Sequence, residues 1–119
     1  MKENILKAKS FNFAIEVVKI YQFLQLEKKE FVLSKQFLRS GTSIGAMVRE
    51  SEHAESKTDF IHKLAIAQKE CNESIYWLEL LFSTKYLSRD QFERINSDAI
   101  EIIKLITSSI KTVKSKINH

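Results

Sequence analysis

Apolar residues recur at intervals of three and four along almost the whole chain, which has 119 residues, no proline and two glycines. This spacing places the apolar side chains on one face of a helix, whereas a half-buried strand needs strict alternation bounded by turn residues. The pattern is clearest near the end of the chain, where the stripe consists of Phe92, Ile95, Ala99, Ile102, Ile106, Ile110, Val113 and Ile117. The sequence therefore predicts an all-α protein.

Four helices fit this pattern. The first is predicted over residues 10–28, and the second from an N-cap at Ser34 to about residue 54. The third helix is predicted to begin at a variant of the capping box, in which Ser56 is followed by Asp59, and the fourth at a capping box of Ser88 and Gln91. Long helices joined by short connections favour an antiparallel up-down-up-down four-helix bundle, and the length suits a single domain over residues 1–119.

The first predicted helix has an apolar arc that is too wide for one contact. Either this helix lies centrally in the bundle, or it buries a second face against another subunit. The second explanation is favoured because large exposed apolar patches usually mark interaction sites. The candidate interface residues are Phe11, Phe13, Val17, Ile20, Phe23 and Leu24.

Both glycines, Gly41 and Gly45, fall inside the second predicted helix. Residues four apart share a helix face, and each glycine costs about 1 kcal/mol relative to alanine in a helix interior. A close crossing by another helix is the preferred explanation, because a face without bulky side chains lets a second backbone approach. A kink or a binding surface is the alternative.

The net charge of +4 permits contact with nucleic acid without requiring it, and an acidic protein partner fits equally well. In an up-down bundle, the start of the first helix and the end of the fourth share one pole. The candidate phosphate-binding residues there are Lys7, Lys9, Lys104, Lys111, Lys114 and Lys116, and Arg39 and Arg49 beside the glycines are secondary candidates. The turn between the second and third helices brings acids to the same pole, so the charge could also be balanced internally.

A di-metal oxidoreductase is the sharpest enzymatic alternative. Glu50 and His53, and likewise Asp59 and His62, are three residues apart, and di-iron bundles use paired Glu-x-x-His motifs. These motifs flank a turn, however, and are predicted at a solvated end of the bundle. The expectation is a protein without catalytic residues, metal or cofactor.

Nothing in the sequence predicts a membrane or secretory protein. No apolar run reaches the roughly 20 residues that span a bilayer, and the first residues lack the pattern of a signal peptide. The single cysteine, Cys71, cannot form an internal disulfide and lies on an apolar stripe, where a small buried side chain is expected. A cytoplasmic location is therefore expected.

Three segments carry a resemblance to a known family: LSKQFLRSGTSIGA at 33–46, DFIHKLAIAQKE at 59–70 and YWL at 76–78. They resemble the bacterial four-helix-bundle proteins encoded by intervening sequences within large-subunit ribosomal RNA genes. Many members carry proline where this chain has Gly45, so a bend in the second helix is permitted here but not forced.

The resemblance also implies a relation to the accessory variability-determinant protein of diversity-generating retroelements. That protein forms a pentameric barrel and binds a reverse transcriptase and nucleic acid. The resemblance therefore implies a homopentamer and suggests that it binds RNA or DNA through basic surface residues. It does not imply enzymatic activity. We expect a non-enzymatic oligomeric scaffold that binds nucleic acid, a nucleic-acid-handling protein such as a reverse transcriptase, or both. A protein-only adaptor is the other interpretation.

Overall fold

The chain forms four α-helices in the computed structural model, which describes the backbone of residues 2–117 and the side chains of residues 5–117. The helices are α1 (Lys2–Leu26), α2 (Leu33–Ser51), α3 (Lys57–Ser83) and α4 (Arg89–Ile117). The described residues contain no strand. The prediction of an all-α helical bundle is confirmed.

Helix α1 begins near Lys2, whereas the sequence predicted a start near Ser10. The Ser10 hydroxyl does not cap a helix; it donates to the Lys7 carbonyl oxygen at 3.2 Å, within the same helix. The additional turns bury Leu6, which is 2% exposed. The helix ends at Leu26, and Lys29 follows with a positive φ of 53°, which turns the chain towards α2.

The predicted N-cap of α2 at Ser34 is wrong, because Ser34 lies inside the helix and Val32 holds the N-cap position without a side-chain bond. The Glu30 carboxylate takes over this role. It accepts hydrogen bonds from the backbone N–H groups of Val32, Leu33 and Ser34 at 3.2, 3.1 and 2.7 Å. A carboxylate so placed satisfies the free donors of the first turn and complements the positive end of the helix dipole.

The predicted caps at Ser56 and Ser88 are both present, and the box is reciprocal at Ser88. The Ser56 hydroxyl accepts from Asp59 N–H at 3.0 Å, and the Asp59 carboxylate accepts from Glu55 N–H at 3.2 Å. The Ser88 hydroxyl accepts from the Gln91 N–H at 3.1 Å, and the Gln91 side-chain oxygen accepts from the Ser88 N–H at 2.9 Å. Before α3, helix α2 ends at Ser51 and not near Ala54, because the backbone N–H groups of the next three residues bond to carbonyl oxygens three positions back and tighten the turn.

The helices pack in a ring in which α1 and α3 each contact both α2 and α4. The core between them is almost entirely aliphatic, with Phe13 and Phe37 as its fully buried aromatic residues. At Gly41, a Cβ would lie 2.6 Å from Val17 Cγ2 of α1. At Gly45, the nearest atom to such a Cβ is the Ser10 carbonyl oxygen at 3.4 Å. Helix α2 continues through both positions.

Candidate nucleic-acid interface

Four of the eight predicted basic residues already have partners in the structure. Lys7 pairs with Glu52 at 3.3 Å and Lys9 pairs with Glu101. The Arg39 guanidinium bridges two carboxylates of α3, and the Arg49 guanidinium lies 5.2 Å from the centre of the Phe11 ring. A phosphate group would have to compete with these contacts.

The other four candidates all lie on α4. They are exposed and form no ion pair with any residue that the structure describes: Lys104, Lys111, Lys114 and Lys116. Lys114 and Lys116 belong to the last turn, where cations complement the negative end of the helix dipole. The surface that remains open to an anionic partner is therefore the second half of α4, which we call the α4 lysine surface.

Acids of the α2–α3 turn reach some of the cations around them, as the sequence allowed. Glu52 contacts Lys7 from α1, and Glu50 contacts Lys63 of α3 at 3.2 Å. On α4, Glu101 hydrogen-bonds Lys9 and raises the pKa of that ammonium, to which its charge also contributes. These pairs reduce the free positive charge near the start of α1, but no described carboxylate pairs with the α4 lysine surface.

Arg39 belongs to a polar network between α2 and α3. Its guanidinium donates to Glu70 at 3.0 Å and also to Glu73, which in turn accepts from the Trp77 indole N–H at 3.3 Å. Beneath it, the buried hydroxyl of Ser74 donates to that of Ser40 at 3.0 Å. Arg39 therefore joins two helices, a role that the sequence did not indicate because the acids lie more than thirty positions away.

Three of the predicted interface residues lie inside the subunit. Phe13, Val17 and Leu24 are at most 1% exposed and belong to its core, so their assignment to an interface is wrong. Ile20 and Phe23 are partly buried against the same core. Of the six candidates, Phe11 is the one that is half exposed.

A different apolar face of α1 is open to solvent. Its members are between 38% and 69% exposed and follow one helix face at steps of three, four and eight: Phe11, Ile15, Val18 and Leu26. We call this face the α1 stripe. Next to it, a shallow groove of about 210 Å³ runs between Phe11 and the small α2 residues Thr42, Gly45 and Ala46.

The proposed metal ligands are not gathered into a site. The described residues contain no group of three or more His, Cys, Asp or Glu side chains that could hold a metal ion. Glu50 is paired with Lys63, and the Asp59 carboxylate accepts a hydrogen bond from the Glu55 N–H, just before α3. The four residues therefore provide no support for the di-metal alternative.

Cys71 is fully buried, and its thiol donates to the Ala99 carbonyl oxygen at 3.3 Å. Burial raises the pKa of the thiol to about 12, so it is protonated at neutral pH. A protonated, inaccessible thiol is a poor nucleophile, and its role here is to pack α3 against α4.

Comparison with known proteins identifies the family to which this chain belongs. The family model for the 23S rRNA-intervening sequence protein matches residues 2–108. The chain belongs to this family. A search of curated proteins gives no match.

A crystal structure supports the fold of this 23S rRNA-intervening sequence family member. It is the structure, at 1.70 Å resolution, of a protein of unknown function from the S23 ribosomal protein family of Bacteroides thetaiotaomicron VPI-5482. That protein is 59% identical to this chain and superposes with a TM-score of 0.92 over 93% of this chain and 99% of its own. Neither comparison indicates an enzyme family. None of the described helices is long and apolar enough to cross a bilayer.

Proposed function

We propose that this protein is a non-enzymatic, cytoplasmic scaffold that binds RNA or DNA through the α4 lysine surface. The observation that carries the proposal is the absence of carboxylate partners at Lys104, Lys111, Lys114 and Lys116 within the described residues, while Lys7, Lys9 and Arg39 are paired. Free ammonium groups along the second half of one helix, three of them on one face (Lys104, Lys111 and Lys114), give the electrostatic attraction to phosphate that drives non-specific binding to nucleic acid. The name of the family, which refers to 23S rRNA, makes RNA the first candidate.

We further propose that the scaffold is a homopentameric ring of up-down-up-down bundles, assembled through the α1 stripe. Neighbouring exposed apolar side chains on one helix face often mark a site of contact with another protein chain. A ring also multiplies the α4 lysine surface, so that a weak site on one subunit becomes a strong one through multivalency. A nucleic-acid-handling protein, such as a reverse transcriptase, is a further partner consistent with this arrangement.

Binding to a labelled single-stranded RNA at increasing salt tests the proposal. Because phosphate contacts release counterions, we expect the logarithm of the affinity to fall linearly with the logarithm of the salt concentration between about 50 and 200 mM. Replacing Lys104, Lys111, Lys114 and Lys116 together by glutamine should weaken binding at least tenfold and flatten this slope by about 0.7 per lost contact. Duplex DNA is the parallel probe.

The matched control removes four charges elsewhere. The residues to replace by glutamine are Lys28, Lys29, Lys35 and Lys85, which lie beside the α1–α2 and α3–α4 connections. If net charge alone governs binding, both quadruple variants will lose affinity equally, and the assignment to α4 fails. If neither RNA nor DNA binds at low salt, the nucleic-acid function itself is excluded.

The α1 stripe also supports a protein-only adaptor as the second candidate, because an apolar helix face can hold another protein without any nucleic acid. A pull-down before and after nuclease treatment separates the two functions. Partners that stay bound after nuclease treatment, together with no salt-dependent RNA binding, would favour the adaptor.

A further inference from the structure

A pocket of about 500 Å³ lies where the start of α1, the α2–α3 turn and the end of α4 meet. Its buried residues include Leu6, Val48 and Leu64. Its exposed residues include Lys57, in the first turn of α3, and Lys116, in the last turn of α4. The pocket thus has an apolar interior and a positively charged entrance, and its size lies within the range of small-molecule sites.

One polar group on the inner wall has no partner. Ser109 lines the pocket and is 4% exposed, and its Oγ makes no hydrogen bond within the described part of the chain. Buried hydroxyl groups are nearly always hydrogen-bonded, and an exception calls for an explanation. A ligand that reaches the inner wall would provide the missing partner.

The entrance supplies donors for an anion. Neither Lys57 nor Lys116 forms an ion pair with a described residue, whereas Glu52, the acid lining the pocket, is engaged by Lys7. The Lys57 and Thr58 backbone N–H groups have no described partner, because the Ser56 cap takes the N–H groups of Asp59 and Phe60. Free N–H groups at the start of a long helix favour negative charge.

We propose that this pocket binds an amphipathic anion, namely a carboxylate or phosphate head on a largely aliphatic body of medium length. The head lies at Lys57, Lys116 and the start of α3, and the body enters between Leu6, Val48 and Leu64. From Lys116 back to Ser109 the helix rises by about 10 Å, which a chain of roughly eight to ten carbons spans. A nucleotide fits less well, because the polar edge of its base would meet one hydroxyl group and otherwise aliphatic walls.

This proposal does not rest on the proposed nucleic-acid function, although Lys116 belongs to both sites, and calorimetry on the intact protein tests it. The probes are decanoate, decyl phosphate, ω-hydroxydecanoate, neutral decanol and adenosine monophosphate. We expect the three amphipathic anions to bind saturably and decanol and the nucleotide at least about tenfold more weakly. Between the two head types, the tighter binder identifies whether the natural ligand is a carboxylate or a phosphate.

Variants locate the two ends of the ligand. Joint replacement of Lys57 and Lys116 by glutamine should weaken decanoate about fivefold or more, whereas replacing Lys111 and Lys114 by glutamine, which removes the same charge outside the pocket, should not. ω-Hydroxydecanoate should bind several-fold more tightly than decanoate, and Ser109→Ala should erase that difference while leaving decanoate unchanged. Val113→Trp, which places a large side chain in the pocket, should abolish binding, with thermal unfolding checking that the variant folds.

Three results would overturn the proposal. The first is no saturable binding of any anion. The second is equal binding of decanol and decanoate with no effect of the lysine variants, which would indicate adhesion to apolar surface alone. The third is tighter binding of adenosine monophosphate than of decanoate, which would assign the pocket to nucleotides.

Discussion

Val17 and Gly41 are in contact where α1 crosses α2, and no space remains between them for another carbon atom. A Cβ on Gly41 would lie 2.6 Å from Cγ2 and 2.8 Å from Cγ1 of Val17. Val17 is fully buried, so its methyl groups are enclosed by the rest of the core. Gly41 is therefore required by packing and not by backbone conformation, since no glycine in the described residues has a positive φ.

The first prediction compares the two glycines by alanine substitution. Gly41→Ala should lower the free energy of unfolding by about 1–2 kcal/mol, because overpacking outweighs the gain of about 1 kcal/mol in helix propensity. Gly45→Ala meets its nearest atom at 3.4 Å, an ordinary contact, and should be neutral or stabilising by up to about 1 kcal/mol. Urea unfolding measures both, and a Gly41→Ala variant as stable as Gly45→Ala would contradict this interpretation.

The second prediction concerns the Glu30 carboxylate at the start of α2. Burial opposes ionisation of this group, but the hydrogen bonds from Ser34, Leu33 and Val32 outweigh it and lower its pKa. A lowered pKa means that its stabilisation is complete above the unfolded-state pKa and is lost as pH falls through the folded-state pKa. Glu30→Ala should destabilise the protein by about 2 kcal/mol at pH 7, and this difference should shrink below about pH 4.5.

Glu27→Ala is the control for this experiment, because Glu27 is exposed and its side chain has no described partner. Unfolding followed by circular dichroism from pH 3 to pH 7 gives the comparison. An effect of Glu30→Ala that does not vary with pH would mean that the side chain acts through packing and not through its charge.

The ends of the helices show what the sequence could reveal about the fold. The Ser56 and Ser88 hydroxyls each accept from the backbone N–H three positions ahead, so these helix starts can be predicted from the local sequence alone. Glu30 caps from outside the helix, and the neighbouring Ser34 resembles an N-cap more closely. The sequence does not predict the true start of α1, because the first turns of this helix carry few apolar residues and Leu6 is buried only through contacts with other helices.

The two faces of α1 show where periodicity fails. Phe13, Val17 and Leu24 form one stripe, and Phe11, Ile15 and Val18 form another on the opposite side. Because both stripes are apolar and both follow helical spacing, the sequence indicates a surplus of apolar surface but not which stripe faces the core. The same limit applies to the basic residues, whose partners are set by tertiary contacts.

The third prediction is that Arg39 contributes to stability, whereas the α4 lysine surface contributes to RNA binding. Arg39→Gln leaves Glu70, whose side chain is 12% exposed, without its cation. We expect a loss of about 1 kcal/mol in the free energy of unfolding, a modest value because the arginine is itself half exposed. RNA affinity should change less than twofold at 100 mM salt. A tenfold loss of affinity with unchanged stability would instead return Arg39 to the nucleic-acid interface.

The last prediction tests assembly through the α1 stripe, on which the proposed ring depends. Light scattering of the wild-type protein should give five times the chain mass of 13.9 kDa at micromolar concentration. Ile15→Lys places a charge in the middle of the stripe, and burying it between subunits would require desolvation of an unpaired ammonium. The variant should therefore give the mass of a single chain.

Because Ile15 is 40% exposed in the subunit, Ile15→Lys should leave the stability of the isolated bundle within about 0.5 kcal/mol of the wild type. Asn12→Lys is the matched control, since it adds the same charge to an exposed position of α1 outside the stripe. If Ile15→Lys assembles like Asn12→Lys, another surface holds the subunits together. If the wild-type chain is itself monomeric, the stripe must serve a different partner, and the multivalency that strengthens the α4 lysine surface is lost.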